Sequence, residues 1–166
     1  VLITGASGGV GSAAVQLAHR RGATLSAMTS PDKAEAVRAL GATHIIGRDD
    51  PIPDRGFDAI IDLVGGPRWP ALLEGLCAGG RYVTSGAIAG PIVELDLRTL
   101  YLRDLTLFGS THQPDRALSD VIGYIEAGEI SPQIAATYDL TELRAAQEAF
   151  LSKSHVGKIA ITVAPG

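Results

Sequence analysis

Residues 1–23 read VLITGASGGVGSAAVQLAHRRGA. Val1, Leu2, Ile3 and Thr4 are apolar or β-branched and suit a buried strand. A glycine cluster follows, and residues 9–21 then carry a helical pattern that Gly22 ends. Strand, glycines and helix in that order form a cradle for a pyrophosphate. Glycine permits the tight turn, removes Cβ atoms from the path of the phosphates, and lets helix and strand pack closely. The helix N-terminus then offers free N–H groups and a partial positive charge. Gly8, Gly9, Val10 and Gly11 stand where this work is done. A structural turn would also use glycine, so the weight comes from the position between a strand and a helix at the head of an alternating chain.

Size and composition narrow the class. The chain has 166 residues, enough for one domain or one domain with an appendage. It is 46% hydrophobic and 19% charged, a globular profile. A net charge of −4 without a basic run gives nucleic acid no electrostatic footprint. Apolar runs such as Ala59-Ile60-Ile61 are far too short to span a bilayer, so no membrane partner is expected. With no signal peptide ahead of the first strand, a cytoplasmic location is the default expectation. The single cysteine, Cys77, excludes an internal disulfide and a cysteine-rich zinc site. Val1 already lies in a strand, which points to a domain cut from a longer protein or to a trimmed terminus.

Strands and helices alternate along the rest of the chain. Residues 24–29 suit a second strand. Pro31 suits the first turn of a helix that runs to Leu40 and stops at Gly41. Short strands are expected at 44–46, 57–64, 81–84 and 105–108, with a helix over 69–77 that contains Cys77. Leu118, Val121, Ile122 and Ile125 recur at helical spacing on one apolar face. A further helix starts at Thr141, a plausible N-cap, and residues 158–163 form a last strand. The fold class is therefore α/β: a doubly wound, parallel, six-stranded Rossmann sheet with helices on both faces, plus a C-terminal helix-strand tail. The expected division is a nucleotide-binding unit over 1–130 and the tail over 131–166.

Two enzyme families fit the opening glycines. Read as Thr4-Gly5-x-x-x-Gly9-x-Gly11, it matches a short-chain dehydrogenase; read as Ala6-x-Gly8-Gly9-x-Gly11, it matches a medium-chain reductase. The short-chain family carries a catalytic Tyr-x-x-x-Lys on this same domain. Four residues after Tyr82, Tyr101, Tyr124 and Tyr138 stand Gly86, Leu105, Gly128 and Glu142, none of them Lys. The medium-chain reading gains from further stretches in order: SPDKAEAVRALGATHII (30–46), FDAIIDLVGG (57–66), GGRYVTSG (79–86), LRDLTLFGS (102–110) and HVGKIAITV (155–163). Together these resemble the zinc-independent quinone oxidoreductase branch of the medium-chain dehydrogenase/reductases, over essentially the whole chain.

The resemblance implies a cofactor, a partner surface and a deficit. Its members transfer hydride from a nicotinamide to a quinone, enone or carbonyl substrate, held by an N-terminal domain that would precede Val1. No catalytic residue is therefore assigned on this chain. No metal ligand is assigned either: His19, His44, His112 and His155 show no ligand spacing. The second strand ends Ala27-Met28-Thr29-Ser30, without the carboxylate that grips a ribose 2′-hydroxyl in NAD-binding versions. By resemblance, Lys33 meets the 2′-phosphate of NADPH, assisted by Thr29 and Ser30, and Arg48 makes a further adenosine-side contact; solvated surface charge is the bland alternative. Val64, Ser85, Gly86, Ala87, Phe108 and Gly109 would wall the nicotinamide, with ordinary turn glycines as the alternative. Lys158 reaches toward the cofactor or the preceding domain, or is a surface lysine. A homodimer is expected through the edge of the sixth strand. The tail from about Ile130 is expected to pack less well. Two rivals stay open: a short-chain carbonyl reductase with displaced catalysis, and a non-catalytic NADPH-sensing module.

Overall fold

Leu2 and Ile3 set the two faces of the sheet. They make up β1 (Leu2–Ile3), and both are fully buried. Successive strand residues point to opposite faces. Leu2 joins a core with Met28, Ile60, Trp69, Leu72 and Tyr82, while Ile3 joins another with Val15, Leu25, Ala27 and Val37. The computed structural model describes residues 1–163, so the expected tail over 131–166 runs past the described residues at its end.

The main sheet contains β1, β2 (Ser26–Met28), β3 (His44–Ile46), β4 (Phe57–Asp62), β5 (Leu76–Thr84) and β6 (Thr106–Gly109). Its order is β3-β2-β1-β4-β5-β6, and every pairing is parallel. The chain winds outward from β1 to β3, then returns to the far side of β1 and winds the other way. Ile3 lies between Ala27 and Ile61 in register. The C-terminal ends of β1, β2 and β4 therefore open on one edge at the point where the winding reverses, which is where such sheets bind ligands. The connections are α1 (Gly9–Arg20), a 3-10 turn (Pro31–Lys33) leading into α2 (Ala34–Ala39), α3 (Trp69–Glu74) and α4 (Leu97–Tyr101). The doubly wound α/β expectation thus holds. Among the described residues, no helix is long and apolar enough to cross a membrane.

Several local expectations need correction. The helix expected over 69–77 ends at Glu74, and Cys77 lies in β5, half-buried. Arg103 explains the early stop. Its guanidinium donates to the carbonyls of Leu73 (3.2 Å), Glu74 (3.1 Å) and Leu76, which closes the open end of α3. Leu76 already pairs beside Phe57. α4 carries little apolar periodicity and was not expected. α5 (Arg116–Glu126) forms where the Leu118 stripe falls, but none of its residues is buried, and Leu118 is 70% exposed.

The tail holds one strand more than expected. β7 (Ile134–Asp139) pairs in parallel with β8 (Lys158–Thr162), and α6 (Leu143–Ser152) connects them. In β7 the strand formers Ile134, Thr137 and Tyr138 are interrupted by two alanines, and its partner lies far along the chain. Thr141 is not a cap: it lies inside a 3-10 turn (Leu140–Glu142) that leads into α6 and is capped by Asp139. Asp139 accepts from the Thr141 N–H at 2.9 Å while Glu142 accepts from the Asp139 N–H at 3.2 Å. These bonds from Thr141 hold the Asp139 carboxyl below its usual range.

Candidate cofactor site

A cavity of about 670 Å³ lies across the C-terminal ends of β1, β2 and β4. Its floor is the glycine loop. Gly5 turns out of β1 with φ +59°, and the Gly8 N–H donates to the Gly5 carbonyl at 3.0 Å. A Cβ on Gly11 would stand 2.1 Å from the Gly5 oxygen, so helix α1 can approach the loop only as glycine. No side chain caps the α1 N-terminus, which leaves its first N–H groups facing the cavity. Gly9 is crowded differently: a Cβ there would meet the Lys158 side chain at 2.6 Å. Lys158 therefore lies across the head of α1.

The end of β2 holds two polar groups with unusual surroundings. Thr29 is 2% exposed, and its Oγ1 has no hydrogen-bond partner although it is buried. Lys33 is 6% exposed, and its ammonium donates to the carbonyl of Lys153. Lys33 is thus no free surface charge. Ser30 lies outside the cavity lining; its hydroxyl bonds Asp32 and lowers that carboxyl's pKa. Arg48 lines the cavity, and its carbonyl accepts from Arg68, which also donates to the Asp50 carbonyl at 2.6 Å.

The end of β4 is fixed by a buried carboxylate that the sequence did not single out. Asp62 is fully buried. It accepts from Thr4 Oγ1 at 2.5 Å, from the Tyr82 hydroxyl, from the Val64 N–H at 3.0 Å, and from the Gly65 N–H at 3.2 Å. Thr4 Oγ1 in turn accepts from the Leu63 N–H at 2.9 Å. Burial first, and the Asp62 carboxylate second, push the Tyr82 phenol far above its usual pKa. The loop that carries Val64 is held by this network. Val64 and Ser85 line the main cavity. Ser85, Gly86, Ala87 and Gly109 line a neighbouring cavity of about 430 Å³. Phe108 lines neither and is half-exposed on β6.

The last wall was missed. Phe150, Lys153, His155 and Gly157 line the main cavity from the tail. The Gly157 N–H donates to the Ser7 carbonyl at 2.9 Å, and Gly157 bridges to Gly8. The HVGK stretch carries a local signal in its glycine, which takes φ +87°.

The residues present suit a phosphorylated dinucleotide: an uncapped helix over a glycine floor, an unpartnered Thr29 hydroxyl and a ring of cations. Among the described residues, no group of three or more His, Cys, Asp or Glu side chains is placed to hold a metal ion. Comparison with known proteins agrees with the fold. A family model described as zinc-binding dehydrogenase matches residues 40–161. Acryloyl-coenzyme A reductase of Metallosphaera sedula is 33% identical over 167 residues, covering 98% of this chain and 50% of that protein. The chain spans about half the length of the acryloyl-coenzyme A reductases it matches. A candidate alcohol dehydrogenase from Sinorhizobium meliloti 1021 superposes with a TM-score of 0.91 at 42% identity, over 98% of this chain and 47% of that one. The 2-octenoyl-CoA carboxylase reductase CinF, in complex with NADP and 2-octenoyl-CoA, gives 0.88 at 27% identity, over 99% and 43%. The chain belongs to the zinc-binding dehydrogenase family of the medium-chain dehydrogenase/reductase superfamily.

Proposed function

We propose that this chain is the NADPH-binding half of a reductase that delivers hydride to a quinone, enone or carbonyl compound. The observation that carries the reading is the end of β2. Thr29 and Lys33 line the cavity there, while the nearby carboxylate Asp32 lies outside its lining, and the Thr29 hydroxyl is buried with no partner. An acidic residue at that place would grip a ribose 2′-hydroxyl; a lysine and a hydroxyl suit a 2′-phosphate. The conjugated thioesters named for two of the relatives are activated alkenes, and they belong to the same substrate class.

When bound, the nicotinamide supplies the hydride. The chain's own residues do the positioning. The α1 N-terminus and Lys158 hold the pyrophosphate, and Lys33, Thr29 and Arg48 hold the adenosine phosphate. The loop fixed by Asp62 walls the nicotinamide together with Val64, Ser85, Gly86 and Ala87. Residues 1–130 form the nucleotide-binding unit in this reading, and the tail completes its outer wall.

The test is direct titration of the chain with NADPH and NADH, followed by nicotinamide fluorescence. Lys33→Met keeps the buried stem and removes the charge. A charge-assisted contact contributes about 1.5–3 kcal/mol, so NADPH is expected to bind at least about tenfold more weakly and NADH nearly as before. Equal weakening of both would remove Lys33 from the phosphate site.

β6 forms one edge of the sheet, and its Phe108 is 49% exposed. An edge of this kind favours pairing with a second copy. The proposed homodimer is checked by sedimentation at micromolar concentration, where a single monomeric species would contradict it.

A further inference from the structure

We infer that His155 is a specificity residue for the 2′-phosphate of NADPH and that it takes up a proton when this phosphate binds. The inference rests on the cofactor reading above. His155 is half-buried, and its Nδ1 is sealed from solvent without a hydrogen-bond partner. The ring is held in place by Phe150, with centroids 5.9 Å apart and planes tilted by 40°. A buried polar atom left without a partner costs about 1–3 kcal/mol. His155 lines the main cavity, so its imidazole stands beside whatever occupies that cavity.

Its place along the chain fixes which part of the occupant it meets. Two residues before it, the Lys153 carbonyl takes the Lys33 ammonium. Two residues after it, the Gly157 N–H reaches the Ser7 carbonyl of the glycine loop. His155 therefore sits on the stretch of chain that runs from the β2 end to the glycine floor. The charged groups lining the same cavity are Lys33 after β2, Arg48 and Asp49 after β3, Asp62 of β4, Arg68 before α3, and Lys153 after α6, with Lys158 of β8 lying over Gly9 beside them. Asp62 is committed to Thr4, Tyr82 and two backbone N–H groups. Cations dominate what remains, and the field selects an anion.

The proton follows from ordinary chemistry. An imidazole titrates near pH 6.5 in water, and a phosphate monoester has its second pKa at about 6. A phosphate dianion beside the ring favours the imidazolium, in which both nitrogens donate. The sign is definite. Binding raises the imidazole pKa, so its contribution is fully present below the free pKa and is lost as pH rises through the bound value. The preference for NADPH over NADH should therefore decline between about pH 6.5 and 8.5.

His155→Gln keeps a polar side chain without a titrating group. Affinities for NADPH and NADH are measured calorimetrically from pH 6 to 8.5, in two buffers of different ionisation enthalpy. For the variant at pH 6.5, the expected result is about tenfold weaker NADPH binding and NADH within about twofold. The variant should also take up fewer protons with NADPH than the unmodified chain, and its preference should no longer decline with pH. Equal weakening of both nucleotides, or unchanged proton uptake, overturns the proposal. A second measurement needs no variant: the His155 ring protons are followed by NMR with adenosine 2′,5′-bisphosphate and with 5′-AMP. Only the bisphosphate should raise the titration midpoint, and an unmoved midpoint overturns the proposal. If the unmodified chain binds neither NADPH nor NADH, the underlying cofactor reading fails first and this inference with it.

Discussion

Gly11→Ala is expected to destabilise the chain by about 2–3 kcal/mol through overpacking and to weaken NADPH binding at least about tenfold. Helix propensity alone predicts the opposite sign, since alanine is favoured over glycine by about 0.8–1 kcal/mol inside a helix. The distances decide between them. A Cβ at Gly11 would stand 2.1 Å from the Gly5 oxygen and 2.7 Å from the Ala6 Cα, both rigid backbone atoms. Helix α1 must then lift off the loop, and its N–H groups move away from the phosphates. Gly9→Ala is the control. Its Cβ meets the flexible stem of Lys158, which can swing aside, so the fold should lose under about 1 kcal/mol. Urea unfolding and nicotinamide fluorescence measure the two effects. A Gly11→Ala chain as stable as the original would show that the close approach is not needed.

Asp62→Ala is expected to be the most damaging single change to stability, at about 3–5 kcal/mol for leaving buried partners unpaired. For a domain of this size that corresponds to a fall in Tm of roughly 6–20 °C. The carboxylate is fully buried and joins three strands: Thr4 beyond β1, its own β4 and Tyr82 in β5. Removing it also frees the Val64 and Gly65 N–H groups, so the loop after β4 loses its anchor. Tyr82→Phe separates the two roles. It removes one donor but leaves the backbone bonds, so it should cost about 1–2 kcal/mol while leaving cofactor affinity close to the original. Thermal melts and titrations check both variants. An Asp62→Ala chain within about 1 kcal/mol of the original would remove the network from the account.

What could be read from the sequence is what the backbone demands locally. The glycine loop was legible because a strand that turns straight into a helix leaves no room for Cβ atoms, and Gly5 and Gly11 show this directly. The alternation of strands and helices fixed the doubly wound class. Its two-sided burial came from neighbours such as Leu2 and Ile3, which enter different cores. Contacts across long stretches of chain were not legible. Lys33 is legible through the family resemblance, yet its carbonyl partner lies at Lys153, and nothing near position 33 announces it. Asp62 looks like an ordinary polar strand end until Thr4 and Tyr82 are brought against it. Helical spacing at Leu118, Val121, Ile122 and Ile125 gave the helix but not its burial, because periodicity reports a face and not what covers it.

The return of the tail to the glycine loop has a consequence for the order in which the molecule can be completed. Gln16 is joined to Ser131 across 115 residues, and Lys33 to Lys153 across 120. The six strands of the main sheet are all synthesised before β7 begins. A chain emerging from the ribosome can therefore form its sheet and glycine turn while one side of the cavity is still untranslated. Long loop closures of this kind slow folding, because ordering precedes the contacts that reward it. Cofactor capture is then a late event, and a chain that stops before His155 would carry the floor of the site without its outer wall.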